Sequence, residues 1–181
     1  VKANTKAPIL LDPQGTLRGI KDGSIIHEMT ENFKEVAKLS TIVKANELET
    51  ELITGINARL EPEKAVRALY KTGCEIAIAT LAEAGSMIYD GSDVYTIPPY
   101  TTDAVDPTGA GDTYAAGFMT KYLETPDDLT ACGCYGSAVS SVMVENSGPD
   151  FPLTREEADH RFNELMQGEK ALKLQFTTRD N

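Results

Sequence analysis

Short apolar runs alternate with stretches of helical spacing along most of this chain. The run Pro8-Ile9-Leu10-Leu11-Asp12, closed by Pro13-Gln14-Gly15, predicts a buried strand followed by a turn. A loop rich in side-chain hydrogen bonders follows. Phe33, Val36 and Ala37 fall at helical spacing, and Thr41-Ile42-Val43-Lys44 predicts a second strand. From Asn46 the period is helical again, with Leu48, Leu52 and Ile56 four apart. Pro62 and Gly73 bracket the next helix, in which Ala65, Val66, Leu69 and Tyr70 share a face. Residues 75–80 read as a strand, and 86–90 with 93–97 as a hairpin around Gly91. Beyond Pro98-Pro99, a helix opens directly from glycine and repeats Ala115, Phe118, Met119, Tyr122 and Leu123 at helical offsets. Thr125-Pro126-Asp127-Asp128 starts another, carrying Ala131, Tyr135, Ala138 and Val142. Thr154-Arg155-Glu156-Glu157 predicts a capping box for a last helix with Ala158, Phe162, Leu165 and Met166 on its apolar face. Strands alternating with helices predict an α/β layer fold with a mainly parallel sheet. The expected domain is 1–166, with a polar tail over 167–181.

Composition narrows the classes. With 181 residues there is room for one domain or part of a larger one, and 41% apolar against 25% charged residues is the balance of a chain that folds. Seventeen Lys and Arg against 28 Asp and Glu leave a net charge of −11, a field that repels nucleic acid and anionic lipid and argues against a binder of either. No apolar run approaches the roughly 20 residues of a membrane span, and the start Val1-Lys2-Ala3-Asn4 lacks the apolar core of a signal peptide. Cys74 stands alone and Cys132 and Cys134 form one C-x-C on an apolar stretch, with His27 and His160 far apart. That pattern suits packing cysteines rather than a disulfide framework or a thiolate metal site, and a reduced, cytoplasmic location.

The stretch Asp106-Pro107-Thr108-Gly109-Ala110-Gly111-Asp112 places small residues at the mouth of a helix and a carboxylate in its first turn. A helix start presents N–H groups without intrahelical partners and a partial positive charge, which favour a phosphate oxygen or a developing oxyanion. Gly109, Ala110 and Gly111 carry nothing larger than a methyl, so their amides form a candidate anion hole. Asp112, held ionised there, is placed to take a proton from a hydroxyl, the geometry of phosphoryl transfer to an alcohol. An acid in a first turn also simply stabilises its helix. There is no G-x-x-x-x-G-K-[ST], and Tyr114 stands where a dinucleotide fingerprint needs its third small residue.

The run Val105-Asp-Pro-Thr-Gly-Ala-Gly-Asp-Thr-Tyr-Ala-Ala-Gly-Phe118 resembles the C-terminal signature of the ribokinase-like, or PfkB, family of carbohydrate kinases. The resemblance implies a three-layer α/β/α fold with a mainly parallel sheet and an ATP-dependent kinase acting on a hydroxyl of a sugar, polyol or nucleoside. It implies Asp112 as the catalytic base, with Gly109, Ala110 and Gly111 stabilising the migrating phosphoryl group. Asn46-Glu47-Leu48-Glu49 resembles the family's N-x-x-E motif, in which Asn46 and Glu49 help organise phosphate, water and Mg²⁺; the same residues also spell a capping box. Thr80-Leu81-Ala82-Glu83-Ala84-Gly85 resembles the Thr-Leu-Gly-x-x-Gly turn along the ATP phosphates and ribose, so Thr80 and Gly85 carry over. Ala82 departs from that turn, since alanine resists the left-handed φ that glycine accepts.

Asp106 and Thr108 occupy positions that hold a monovalent cation in members activated by one, which implies K⁺ here, with the loop Asn146-Ser147-Gly148 completing the site. Asp12-Pro13-Gln14-Gly15 with Arg18 resembles the family turn that brings polar side chains toward phosphate or substrate, here Gln14 and Arg18, in a form similar to the inositol-kinase and nucleoside-kinase branches. An ordinary turn with an exposed Arg has the same sequence. The resemblance starts mid-pattern, so the chain is expected to be the C-terminal, ATP-binding portion of a kinase. It would lack the N-terminal strands and the β lid, through which members often form homodimers. Without a lid to exclude water, the isolated chain is expected to transfer phosphate poorly. The rival class is a non-catalytic nucleotide-binding or assembly module on the same fold; retention of Asp112 speaks for catalysis.

Overall fold

A computed structural model describes residues 6–177; the start Val1-Lys2-Ala3-Asn4 and the last four residues of the expected tail lie outside the described residues. The chain divides into two units, 1–96 and 97–181.

The first unit is built on a sheet. Strands β1 (Leu10–Leu11), β4 (Ile42–Asn46) and β5 (Ile76–Thr80) run parallel, with β6 (Ser86–Tyr89) antiparallel to β5 and β7 (Val94–Ile97) beyond it, in the order β1-β4-β5-β6-β7. The register aligns Asn46 with Thr80, so the motif residues at the ends of β4 and β5 lie side by side. Alternation along the strands sends Val43, Ala45, Ala77 and Ala79 to one face, where they pack with Phe33, Ala37, Ile53, Val66 and Leu69. Those residues come from helices α1 (Glu31–Leu39), α2 (Glu47–Thr54) and α3 (Pro62–Tyr70), and each large side chain fully buried there contributes about 1.5–3 kcal/mol. The small alanines of β4 and β5 let the helices sit close. Ile42, Ile78 and Ile88 occupy the opposite face and are fully buried.

Two sequence expectations fail in this unit. Residues 18–27, read as part of a loop, form an antiparallel hairpin of β2 (Arg18–Lys21) and β3 (Ser24–His27). Its turn is Asp22-Gly23, both at positive φ (50° and 79°), the pair that a two-residue hairpin loop favours. The overlooked signal was that dipeptide between Ile20 and Ile25, which face each other across the ladder. In α2 the buried side chains are Thr50 and Ile53, while Leu48, placed on the expected apolar face, is 75% exposed. A stripe three and four apart meets the core, and a strict spacing of four drifts off it.

The second unit is helical: α4 (Ala110–Glu124), α5 (Leu129–Val144) and α6 (Arg155–Thr177). Asp128 caps α5 by accepting from Ala131 N–H at 2.9 Å. Nearly every residue of α5 is buried, Cys132 and Cys134 among them, and burial pushes the Cys132 thiol up to about 12, the behaviour of a packing cysteine. Helices α4 and α5 cross where Gly117 and Gly136 face each other's backbones. A Cβ on either would come within 3.0 Å of a carbonyl oxygen, of Tyr135 and Tyr114 respectively. The buried face of α4 is therefore Tyr114, Gly117 and Phe118; Leu123, expected inside, is 67% exposed. Tyr135 and Val139 pack on Ala158 and Phe162 of α6. Thr154 caps α6 by accepting from Glu157 N–H at 3.1 Å, while the Glu157 carboxylate is taken by Arg161 at 2.7 Å. The helix continues past Gln167 to Thr177.

Candidate active site

In the second unit, α4 opens as its sequence predicts. Gly109 is the cap residue at φ 87°, a left-handed conformation, and has no side chain with which to cap the helix. A Cβ there would also sit 3.1 Å from Met143 Cε. The left-handed φ favours glycine, whereas the Met143 methyl is the tip of a flexible side chain and could give. Ala110 N–H turns back to the Pro107 carbonyl at 3.1 Å, and Thr113 N–H begins the helical ladder to Gly109 at 2.9 Å. Asp112 stands in the first turn and is exposed. The residues leading in form a tight turn: Asp106 Oδ1 accepts from Thr108 N–H at 2.9 Å, and the Ser147 hydroxyl lies 3.5 Å from Asp106 Oδ2. The Thr108 backbone and side chain hold the Asp106 carboxyl below its ordinary value. Asp106 thus has Thr108 and Ser147 of the 146–148 loop as neighbours.

The loop hangs from the end of α5. Val105 N–H and Asp106 N–H both donate to the Val144 carbonyl, at 2.7 and 3.1 Å. A carbonyl in a last helical turn has no intrahelical partner, and here it serves the loop instead.

In the first unit, Asn46 caps α2 in a complete capping box: Glu49 N–H donates to Asn46 Oδ1 and Asn46 N–H to Glu49 Oε2, both at 2.9 Å. Beside it Lys44, 2% exposed, donates to Asp12 Oδ2 at 2.5 Å. Asp12 Oδ1 is buried with no hydrogen-bond partner among the described residues. Burial pushes the Glu49 carboxyl above its ordinary value and the Asn46 N–H draws it back; the Asp12 charge adds to the rise, and Lys44 and Arg18 oppose it. The charges of Asp12, Arg18 and Lys44 are therefore all felt at Glu49 in the first turn of α2, with Thr80 opposite Asn46 through the β4–β5 register. In the sequence Asp12 reads only as the start of the Asp12-Pro13-Gln14-Gly15 turn and Lys44 only as part of a strand, so their pairing was not foreseen. Gln14 is exposed at the start of the 3-10 turn Gln14–Leu17, whose last residue, Leu17, is buried.

The Thr80–Gly85 turn keeps the shape that glycine would favour. Ala82 holds φ 48° and Gly85 φ 85°, and Leu81 N–H closes the turn on the Gly85 carbonyl at 2.8 Å. The alanine is tolerated at a conformational cost of about 1–2 kcal/mol. Arg59 braces the turn, donating to Glu83 at 2.6 and 3.2 Å and to Glu47 of α2 at 3.0 and 3.2 Å.

Residues 3–156 match the pfkB family carbohydrate kinase model. The chain belongs to that family. This pfkB-family chain is 45% identical over 83 residues to a nucleoside kinase of Methanothermobacter thermautotrophicus, covering 46% of this chain and 26% of that protein. It is 35% identical over 92 residues to a cytidine kinase of Thermococcus kodakarensis, covering 50% and 32%. Among solved structures, a pyrophosphate-dependent kinase of the ribokinase family, complexed with a pyrophosphate analogue and myo-inositol, superposes with a TM-score of 0.71 at 25% identity, over 84% of this chain and 53% of that one. The fold of the pfkB-family chain is therefore ribokinase-like α/β. The matches span less than half the length of these curated relatives. No helix among the described residues is long and apolar enough to cross a membrane.

Proposed function

We propose that this chain carries the phosphoryl-transfer machinery of an ATP-dependent kinase whose acceptor is an alcohol on a small molecule, with Asp112 as the base. The observation that carries the reading is the opening of α4. It is a glycine-capped helix start without a side-chain cap, with a first-turn carboxylate, inside the signature of a family of kinases. Amides of the Gly109-Ala110-Gly111 run receive charge that develops on the transferred group, Ala110 N–H by exchanging its bond to the Pro107 carbonyl for a phosphoryl oxygen, and Asp112 accepts the hydroxyl proton. Among sugar, polyol and nucleoside acceptors, a nucleoside has the most support, from relatives named as nucleoside and cytidine kinases.

Magnesium fits the first unit's carboxylates. No group of three or more His, Cys, Asp or Glu that could hold a metal occurs among the described residues. Mg²⁺ in kinases, however, is held by one or two carboxylates with phosphates and water, and Asp12 Oδ1 is buried without a partner while the Asp12 charge is felt at Glu49. Glu49 and Asp12 would hold it, and bound there it would neutralise phosphate charge. Asn46, Thr80 and Gly85 serve the nucleotide, Gln14 and Arg18 the phosphate or acceptor, and Asp106 and Thr108 a monovalent cation such as K⁺.

The test is single-turnover transfer by the full-length protein, lid included, from γ-labelled ATP, or from pyrophosphate in a parallel arm, to cytidine, ribose and myo-inositol. Asp112→Asn is expected to cut transfer about 10²–10⁴-fold while ATP affinity stays within about twofold. Equal transfer by the variant would remove Asp112 from the role. ATP bound but never transferred, by wild type as well, would favour the non-catalytic module.

A further inference from the structure

Arg161 of α6 has a side chain only 10% exposed and makes four side-chain hydrogen bonds. Its Nη1 and Nη2 donate to Glu145 Oε1 and Oε2 at 2.8 and 2.9 Å, Nη1 also to Ser141 Oγ at 2.9 Å, and Nε to Glu157 Oε1 at 2.7 Å. Its guanidinium lies 4.9 Å from the Tyr100 ring centroid. Thr102 donates its hydroxyl to the same Glu145 carboxylate. One buried cation thus ties together α6, the end of α5 and the strand of chain that leads to Asp106. Exposed ion pairs, such as those of Arg155, hold little; a bidentate, largely desolvated guanidinium with four hydrogen bonds fixes geometry.

The point it fixes is Val144, next in sequence to Glu145, whose carbonyl receives Val105 N–H and Asp106 N–H. We propose that Arg161 is a positioning residue for the anion-hole loop: by clamping Glu145 it sets the carbonyl from which the loop hangs, and so the direction in which the chain enters Gly109-Ala110-Gly111. Arg161 touches none of these loop residues and acts through Glu145 and Val144. This inference deepens the phosphoryl-transfer reading and rests on it for the meaning of the loop.

The experiment is amide-resolved NMR on the full chain, comparing wild type with Arg161→Met, which keeps the bulk over Tyr100, and Arg161→Lys, which keeps charge without the fork. Glu145 and Glu157 are part-exposed and can take up water when the guanidinium is removed. In Arg161→Met, hydrogen exchange at Val105 and Asp106 is expected to rise about tenfold or more, while interior amides of α4 and α5 keep their rates. Tripolyphosphate affinity, read from shifts of the Gly109 to Gly111 amides, is expected to fall about tenfold, and Arg161→Lys to recover only part of each change. Unchanged exchange at Val105 and Asp106, or a loss of protection spread evenly over α4 and α5, would overturn the positioning role. So would unchanged tripolyphosphate affinity. If the wild-type loop ignores tripolyphosphate, the phosphate reading falls, and the exchange rates still decide whether Arg161 sets the loop. Should Arg161→Met not fold, Glu145→Gln leaves Arg161 bound to Glu157 and Ser141; it is expected to show the same selective exchange change, smaller, and no change there overturns the clamp.

Discussion

Helices α2 and α4 both begin at the motifs that suggest a kinase, and both carry a carboxylate three residues after the cap, yet their openings are built oppositely. In α2 the cap and the carboxylate serve each other: Asn46 and Glu49 exchange two hydrogen bonds, and the helix start is satisfied from within. In α4 the cap is a glycine at φ 87°, which has no side chain to close the start, and the Asp112 carboxylate is exposed. A self-satisfied opening is a rigid mount for neighbouring charges such as Lys44 and Asp12. An opening without a cap leaves backbone dipole for something brought from outside. The same local sequence grammar, a small or polar cap followed by an acid, thus has two outcomes, and the difference is whether the cap residue owns a hydrogen-bonding side chain.

The comparison can be broken at each helix in turn. The largest stability effect is expected at Gly109. Gly109→Ala forces a Cβ into a left-handed residue and toward Met143 Cε, and urea denaturation should show a loss of about 2 kcal/mol. A loss below half of that would mean the turn relaxes freely and glycine is not required. Next comes α2, where Asn46→Ala removes the cap and should cost about 1 kcal/mol by the same measurement. An equal cost for Glu49→Gln, whose amide oxygen still accepts from Asn46 N–H, would show that charge rather than the box holds the start. Smaller and of opposite sign is Ala82→Gly. Relief of the left-handed alanine outweighs the added freedom of the unfolded chain, giving a gain of about 0.5–1 kcal/mol. If Ala82→Gly destabilises instead, φ 48° is no strain.

The smallest effect concerns pH. Arg161 hydrogen bonds, opposed by some burial, hold the Glu145 carboxyl below its ordinary 4.5. A carboxylate whose folded value is depressed contributes stability that is present above its unfolded value and lost as pH falls through the folded one. Wild type should therefore lose this contribution below about pH 4.5, and Glu145→Gln should flatten that part of the melting-temperature profile. A Glu145→Gln profile parallel to wild type down to acid pH would show that Arg161 does not hold the charge.

Much of the fold was legible. Strands β4 to β7 and helices α3 to α6 carry clear periods and punctuation, and Pro62, Gly73 and Asp128 mark boundaries that the backbone respects. The hairpin at 18–27 was legible too, through Asp22-Gly23, but was lost because Arg18-Gly19-Ile20-Lys21 offers only one apolar residue to a period of two. Apolar faces were harder. Leu48 and Leu123 look like core residues by spacing and lie in solvent, since a helix buries the arc its neighbours cover. Of the site, Gly109 to Asp112 and Asn46 to Glu49 were readable because their chemistry is local. Arg161 was not, because its partner Glu145 is sixteen residues away and nothing in either residue announces the pairing.

By itself the sequence determined the alternation of strands and helices, the glycine that only a left-handed cap explains, and the acid that follows it. Each is a property of a few consecutive residues, where backbone sterics and hydrogen-bond capacity act at short range. Only the tertiary structure decided that Val144 offers its carbonyl to the loop, that one buried guanidinium holds α5 to the chain before Asp106, and that Asp12 lies against Lys44. Those outcomes depend on which distant groups are driven together when water is excluded, and that information is shared across the whole fold rather than stored at any one position.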